Sequence, residues 1–230
     1  MEKNLVEDSR RIQIMRARDW DRIYRESGDL HFAVLPVVRR ATRDFKENNY
    51  TKILDLGCGT GKHSIFLARQ GFSVYATDIS PTGIGIAQKK AESLSLNIRF
   101  KQHDMKSIPF TDNFFDAVIC TWTLSHGTMD DIRKAVNEIY RVLRSGGMVL
   151  TDLPSIATES YGVGKEIEKD TFIGEKDQEE DVPHHYTTRE EVIRLFANFC
   201  RLRVRLATRR YIDEEGRGHF SKRFYIAAIK

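Results

Sequence analysis

The chain is short of cysteine and proline, and it has no long apolar run. Only three of its 230 residues are cysteines, Cys58, Cys120 and Cys200. Their number is odd and no two stand in CxxC spacing. Neither a disulfide framework nor a zinc site is expected, no other metal is expected, and a reducing compartment fits best. The opening segment MEKNLVEDSRR has no apolar core of the kind a signal peptide carries. The longest apolar stretch near it, Phe32 to Val38, is broken by Pro36 and is far too short to span a bilayer. A cytoplasmic protein with no membrane association is therefore the expectation. Excess charge of one sign is lacking too: the formal net charge is +4, which neither demands nor excludes a polyanionic partner. With 40% apolar and 30% charged residues the chain is not of the disordered type, and 230 residues can bury a full core as a single domain. No internal repeat, low-complexity tract or linker is visible.

What is present is an alternation of strand and helix patterns. Residues 8–27 read as a charged helix carrying Ile12, Met15, Trp20, Ile23 and Tyr24, and a second helix starts near Pro36, where a missing N–H costs nothing. Strands are expected at Lys52–Leu56, Ser73–Thr77, Asn97–Gln102, Phe115–Cys120 and Met148–Asp152. Helices are expected at Lys62–Gln70, after Ser80-Pro81, and over Asp130–Leu143, the last ended by Gly146 and Gly147. Residues 153–186 read as irregular and charged. A last helix follows Thr187 or Thr188, and two final strands, about 202–210 and 221–229, flank a charged turn at Asp213 to Gly218. Alternating strands and helices imply a mostly parallel sheet covered on both faces, with the final pair antiparallel.

In such a sheet ligands bind beyond the carboxyl ends of the strands, where strand order reverses. The first strand–turn–helix unit reads Leu54-Asp55-Leu56-Gly57-Cys58-Gly59-Thr60-Gly61. Three alternating glycines remove Cβ atoms that would hold a ligand off the backbone, and the free N–H groups of the helix that follows favour a ligand carboxylate. Asp55, just before the turn, suits an ammonium or sulfonium and would repel a pyrophosphate. Asp78 ends the second strand and can accept from ribose hydroxyls. Asp104, after the third strand, could accept from an adenine amino group, with Ile79 or Met105 packed on the ring. Cys58 reads as a small filler rather than a nucleophile.

The run LDLGCGTG, the acid Asp78, the segment HDMKSIPF followed by FFDAVI, and EIYRVLRSGGMVLTD together resemble the class I S-adenosylmethionine-dependent methyltransferases over roughly residues 50–152. The resemblance implies a Rossmann-like seven-stranded sheet of order 3-2-1-4-5-7-6 with the seventh strand antiparallel, and S-adenosylmethionine as cofactor. It implies that Gly57, Gly59 and Gly61 line the methionine portion, that Asp55 orients that portion through the loop, and that Thr121 contacts it. In such enzymes an N-terminal helix often closes over the cofactor, which would employ Trp20 and Tyr24; core packing is the alternative. The expected organisation is one domain over 1–230: a helical cap (1–48), a cofactor half (50–152), a lid (153–186), then a substrate-side helix with the last strands (187–230).

Methyl transfer from a sulfonium is an in-line displacement, and an acceptor with a dissociable proton needs a base. Candidates are His126, His184 and His185. The stretch Asp181-Val182-Pro183-His184-His185-Tyr186-Thr187 is similar to small-molecule methyltransferases of the tellurite-resistance type. Satisfied loop histidines are the competing reading, and His63 reads as solvated. The expected partner is a small-molecule acceptor. Methylation of nucleic acid is the alternative that Arg10, Arg11, Arg16, Arg18, Arg22, Arg25, Arg201, Arg203 and Arg205 would serve. Those arginines also fit a solvated face, and Cys120-Thr121-Trp122-Thr123 lacks the Asn-Pro-Pro-aromatic signature of enzymes that methylate base amino groups. The glycine spacing argues against a nicotinamide oxidoreductase. A protein that holds the cofactor without transferring its methyl stays open.

Overall fold

The computed structural model describes residues 19–29, 33–174, 179, 181–212 and 216–230. Positions 8–18 of the expected first helix, with Ile12, Met15, Arg10, Arg11, Arg16 and Arg18, lie outside the described residues, as does 213–215 of the final turn.

Helix α1 covers residues 19–27. Helix α2 (Pro36–Glu47) starts on its proline and buries Val38, Ala41 and Phe45. Then come β1 (Lys52–Leu56), α3 (Lys62–Arg69), β2 (Ser73–Asp78), α4 (Pro81–Ser93), β3 (Ile98–Gln102), β4 (Phe115–Cys120) and α5 (Met129–Val142). Ser80 caps α4 by accepting from the Gly83 N–H. Thr128 and Asp131 form a reciprocal capping box at the start of α5. The chain continues through β5 (Leu143–Pro154), β6 (Lys165–Glu168), β7 (Thr171–Ile173), β8 (His184–His185), α6 (Arg189–Leu195), β9 (Cys200–Ile212) and β10 (Gly218–Ile229).

The main sheet has seven strands in the order β3-β2-β1-β4-β5-β10-β9. That is the expected order once β6, β7 and β8, which form a separate three-stranded sheet, are set aside. All neighbours from β3 to β5 are parallel, and β10 runs antiparallel to both β5 and β9. Successive β1 residues serve opposite faces, as the period of two requires. Ile53 packs with Val38, Phe45 and Leu67 on the α2/α3 side. Leu54 packs with Ile132, Ile139 and Phe196 on the α5/α6 side. Each such fully buried side chain contributes about 1.5–3 kcal/mol, so the two faces fix the register of the central strands.

Two expectations need correction. Residues 153–186 are not irregular: they contain the β6-β7-β8 sheet. Gly146 and Gly147 do not end α5, because the chain is already extended at Leu143 and both glycines lie inside β5. They serve the shift of register between β4 and β5, where a Cβ on Gly147 would stand 2.9 Å from the Asp116 carbonyl oxygen. Among the described residues no helix is long and apolar enough to cross a membrane.

Strand order reverses between β1, which continues to β2, and β4, which continues to β5. A crevice opens there beyond the strand ends.

Candidate functional site

The crevice is one cavity of about 1110 Å³. Its floor is the bend after β1. Gly57, Gly59 and Gly61 have φ of 73°, 52° and 85°, the left-handed region that glycine enters without strain. The Gly57 and Cys58 N–H groups both donate to the Thr77 carbonyl, at 2.7 and 2.9 Å, which ties the bend to β2. Asp78 then accepts from the Gly59 N–H at 2.8 Å and the Ser80 N–H at 2.9 Å. Burial pushes its carboxyl up from the ordinary range, against the lowering effect of these N–H groups. Each carboxylate oxygen retains a further lone pair for a ligand.

Asp55 is buried behind the bend, outside the cavity lining, and accepts from the Ser64 hydroxyl at 2.5 Å. Burial raises its pKa to about 6 even though Ser64 and Lys62 oppose the shift. Its effect on the cavity passes through the bend and through its charge. Gly61 does not line the cavity either; a Cβ there would meet the Ala87 Cβ at 2.8 Å, so this glycine serves the contact of the loop with α4. Gly57, Cys58, Gly59, Asp78, Ile79, Asp104, Met105 and Thr121 all line the cavity. The Cys58 thiol is held protonated by burial and by Asp78 and Asp55.

Helix α1 roofs this end. Asp21, itself buried, accepts from the Ser80 hydroxyl at 3.0 Å and the Thr82 N–H at 2.9 Å, and pairs with Arg25. This clamp sets Tyr24 over the bend, where a Cβ on Gly59 would stand 2.6 Å from its hydroxyl. The Trp20 ring lies 6.0 Å from Tyr24 and 4.9 Å from His126. The helical spacing of Trp20 and Tyr24 is legible in sequence, but the Asp21 anchor carries no pattern that would reveal it.

Two histidines escaped the sequence reading. His63 is not solvated; it is 3% exposed and lines the cavity. The Leu35 N–H donates to its Nε2 at 3.3 Å, so the ring proton sits on Nδ1, 3.2 Å from the Thr121 hydroxyl. Burial, helped by Lys62, drops its pKa to about 3 and keeps it neutral. His103 has its Nδ1 2.9 Å from the Asp104 carbonyl, which can only accept, so Nδ1 carries the proton. Its Nε2 is a buried acceptor with no partner, in the wall beside Asp104. A bare bend, an orphaned acceptor and two carboxylates suit a ligand with hydroxyls, an amino group and a cationic centre.

Beside the Trp20 ring the cavity wall carries His126, Glu179 and His184. Glu179 Oε2 lies 2.8 Å from His184 Nε2, and the His126 and His184 rings meet edge to face at 4.9 Å. Burial raises the Glu179 pKa, but the bond to His184 and the fields of His126 and Arg223 outweigh that and bring it to about 2. His185 does not join them. It is 2% exposed, its Nδ1 meets the Thr171 hydroxyl at 2.7 Å, and its Nε2 meets Glu191 at 3.2 Å. Adjacent residues of a strand face opposite ways, and β8 turns His184 to the cavity and His185 toward α6. Nearby, the Arg223 guanidinium pairs with Asp152 and leaves its buried Nη2 unpartnered. Arg40, Arg203, Arg205, Arg209 and Lys222 line the outer wall. The cavity is therefore acidic near the bend and basic toward β9 and β10.

Residues 53–147 match the family described as methyltransferase domain. Among curated relatives, a demethylmenaquinone methyltransferase of Thermus thermophilus is 36% identical over 128 residues, 54% of this chain and 57% of that protein. The chain spans about half the length of the curated relatives it matches. Of solved structures, an S-adenosylmethionine-dependent methyltransferase from Methanosarcina mazei aligns with a TM-score of 0.65 at 23% identity, covering 86% of this chain and 99% of that one. TehB from Haemophilus influenzae aligns with a TM-score of 0.65 at 18% identity, covering 92% and 67%. At these identities the two structures speak for the fold.

Proposed function

We propose that the chain, whose residues 53–147 match the methyltransferase domain family, is a class I S-adenosylmethionine-dependent methyltransferase and that it methylates an acidic small molecule bound in the basic half of its cavity. The observation that carries the reading is the division of one cavity into two chemically distinct ends.

S-adenosylmethionine, when bound, supplies an electrophilic methyl group on a sulfonium. At the acidic end Asp78 holds the ribose hydroxyls with lone pairs left over from Gly59 and Ser80. Asp104 and the bare Nε2 of His103 accept from the adenine amino group, and Ile79 and Met105 pack on the ring. The backbone of Gly57 and Gly59, with Thr121, receives the methionine portion. Asp55 adds negative charge behind the bend, which favours a cation over a pyrophosphate. Tyr24 and Trp20 keep water away from this end, so alignment in a dry pocket does most of the catalytic work.

The acceptor meets His126, Glu179 and His184, which activate its reacting atom. Its anionic group faces Arg203, Arg205 and Arg40, none of which has an acidic partner among the described residues. That the Thermus thermophilus relative is named a demethylmenaquinone methyltransferase supports a small-molecule substrate. The exposed arginines of β9 also favour a second reading, methylation of nucleic acid.

Calorimetric titration with S-adenosylhomocysteine and with NADH tests the cofactor half; binding of the first and not the second is expected. Labelled S-adenosylmethionine offered with carboxylated phenols, thiols, amines, chalcogen oxyanions and tRNA tests the acceptor half. No affinity for S-adenosylhomocysteine refutes the whole reading, and label found only in tRNA replaces it with the second.

A further inference from the structure

His126, Glu179 and His184 are held together by backbone as well as by side chains. His126 and His184 form an isolated antiparallel bridge, and the His185 N–H donates to the Ser125 carbonyl at 2.9 Å. The loop after β4 is thus fastened to β8. Glu179 reaches the same point from five residues before His184, and the pair between Arg22 and Asp181 ties that stretch to α1. One ligand-type atom from each of the three residues lies within 4.8 Å of the others. Donors that share an ion at roughly 2.0–2.2 Å stand about 3–3.5 Å apart, so small side-chain rotations close the set. A proton-abstracting dyad needs one imidazole and one carboxylate. The second imidazole, ring against ring with the first, has no place in a dyad but completes a set of three ligands. Arg223, the cation whose field reaches Glu179, has its own charge offset by Asp152.

We propose that His126, Glu179 and His184 bind one divalent transition-metal ion. Two imidazoles and a carboxylate suit zinc, iron(II) or cobalt(II) and are poor in oxygen for magnesium or calcium. Three protein ligands leave coordination positions open toward the cavity, where the ion takes an oxygen of the acceptor and lowers the pKa of its hydroxyl. What the ion meets rests on the proposed function; that it binds does not.

The test uses the full chain without an affinity tag, stripped with a chelator and desalted. Cobalt(II) chloride is added while visible absorption is followed, and zinc chloride is titrated by calorimetry. One ion per chain is expected. Glu179→Gln and His126→Ala, each shown by circular dichroism and melting to be folded, weaken binding about tenfold or more. No bound ion, or an ion held equally well by both variants, overturns the proposal. S-adenosylhomocysteine is titrated into the same samples. If S-adenosylhomocysteine binds and no metal ion does, the metal site alone falls, whereas metal binding by a protein that ignores S-adenosylhomocysteine sinks the cofactor reading and leaves the metal site standing.

Discussion

Replacing Asp55 by Asn should make the protein more stable and a poorer binder of its cofactor. Burial lifts the Asp55 pKa from the ordinary 3.8 to about 6. A carboxyl whose pKa is raised on folding contributes most below its unfolded value, and that contribution is lost as pH rises through the folded value. At about 1.4 kcal/mol per tenfold change in proton affinity, the charged form costs the fold about 3 kcal/mol above pH 7. At pH 4.5, between the two values, linkage leaves only about 1 kcal/mol of that cost. Asn keeps the shape and an oxygen for the Ser64 hydroxyl, and it carries no charge. Asp55→Asn should therefore raise the melting temperature at pH 7.5 by roughly 6–10 °C for a chain of this size, and by about a third of that at pH 4.5. Melting followed by dye fluorescence from pH 4 to 8 reads both. The affinity for S-adenosylhomocysteine, whose ammonium loses a favourable charge, should fall about tenfold by calorimetry. A variant that melts below the parent at pH 7.5, or a gap that does not change with pH, refutes the reasoning.

Other consequences are as direct. Asp78→Ala should abolish cofactor binding and also lower stability: it orphans the buried Gly59 and Ser80 N–H groups, at about 1–3 kcal/mol each, which denaturant titration measures. His185→Ala should lower stability by about 1–3 kcal/mol, because Glu191 loses its partner and Thr171 keeps only Glu168, while turnover per folded molecule is kept. A fall in kcat without loss of stability would return His185 to the reacting centre. Gly59→Ala meets both a left-handed φ and the Tyr24 hydroxyl, so calorimetry should show weaker binding beyond the backbone strain of about 1–2 kcal/mol, and Tyr24→Phe alone should not reproduce it.

The main sheet was legible because β1, β2, β4 and β5 are long enough to show their pattern and are bounded by glycine or by capping residues. The small sheet was not: β6, β7 and β8 are two to four residues long and sit in a charged stretch. The bend and the acids after it were legible because their chemistry is local. His63 was misread because its burial comes from the segment before α2, which docks over it from far along the chain. The choice between His184 and His185 needs the phase of β8, and so short a strand has no pattern to set it. Glu179 joins two histidines only through a bridge between distant loops, and no spacing announces that.

Gly61 gives the glycine-rich run an unequal composition. Gly57 makes room for the Thr123 side chain and Gly59 for the Tyr24 hydroxyl, both at the cavity, while Gly61 makes room for Ala87 on α4. In a set of kindred proteins, residue 61 should therefore answer to the girth of its helical neighbour and to the left-handed backbone it occupies, and be indifferent to the small molecule handled. A chain that kept the first two glycines, lost the third and carried a slimmer partner across from it would keep its cavity lining and meet the cost in left-handed backbone strain at that position.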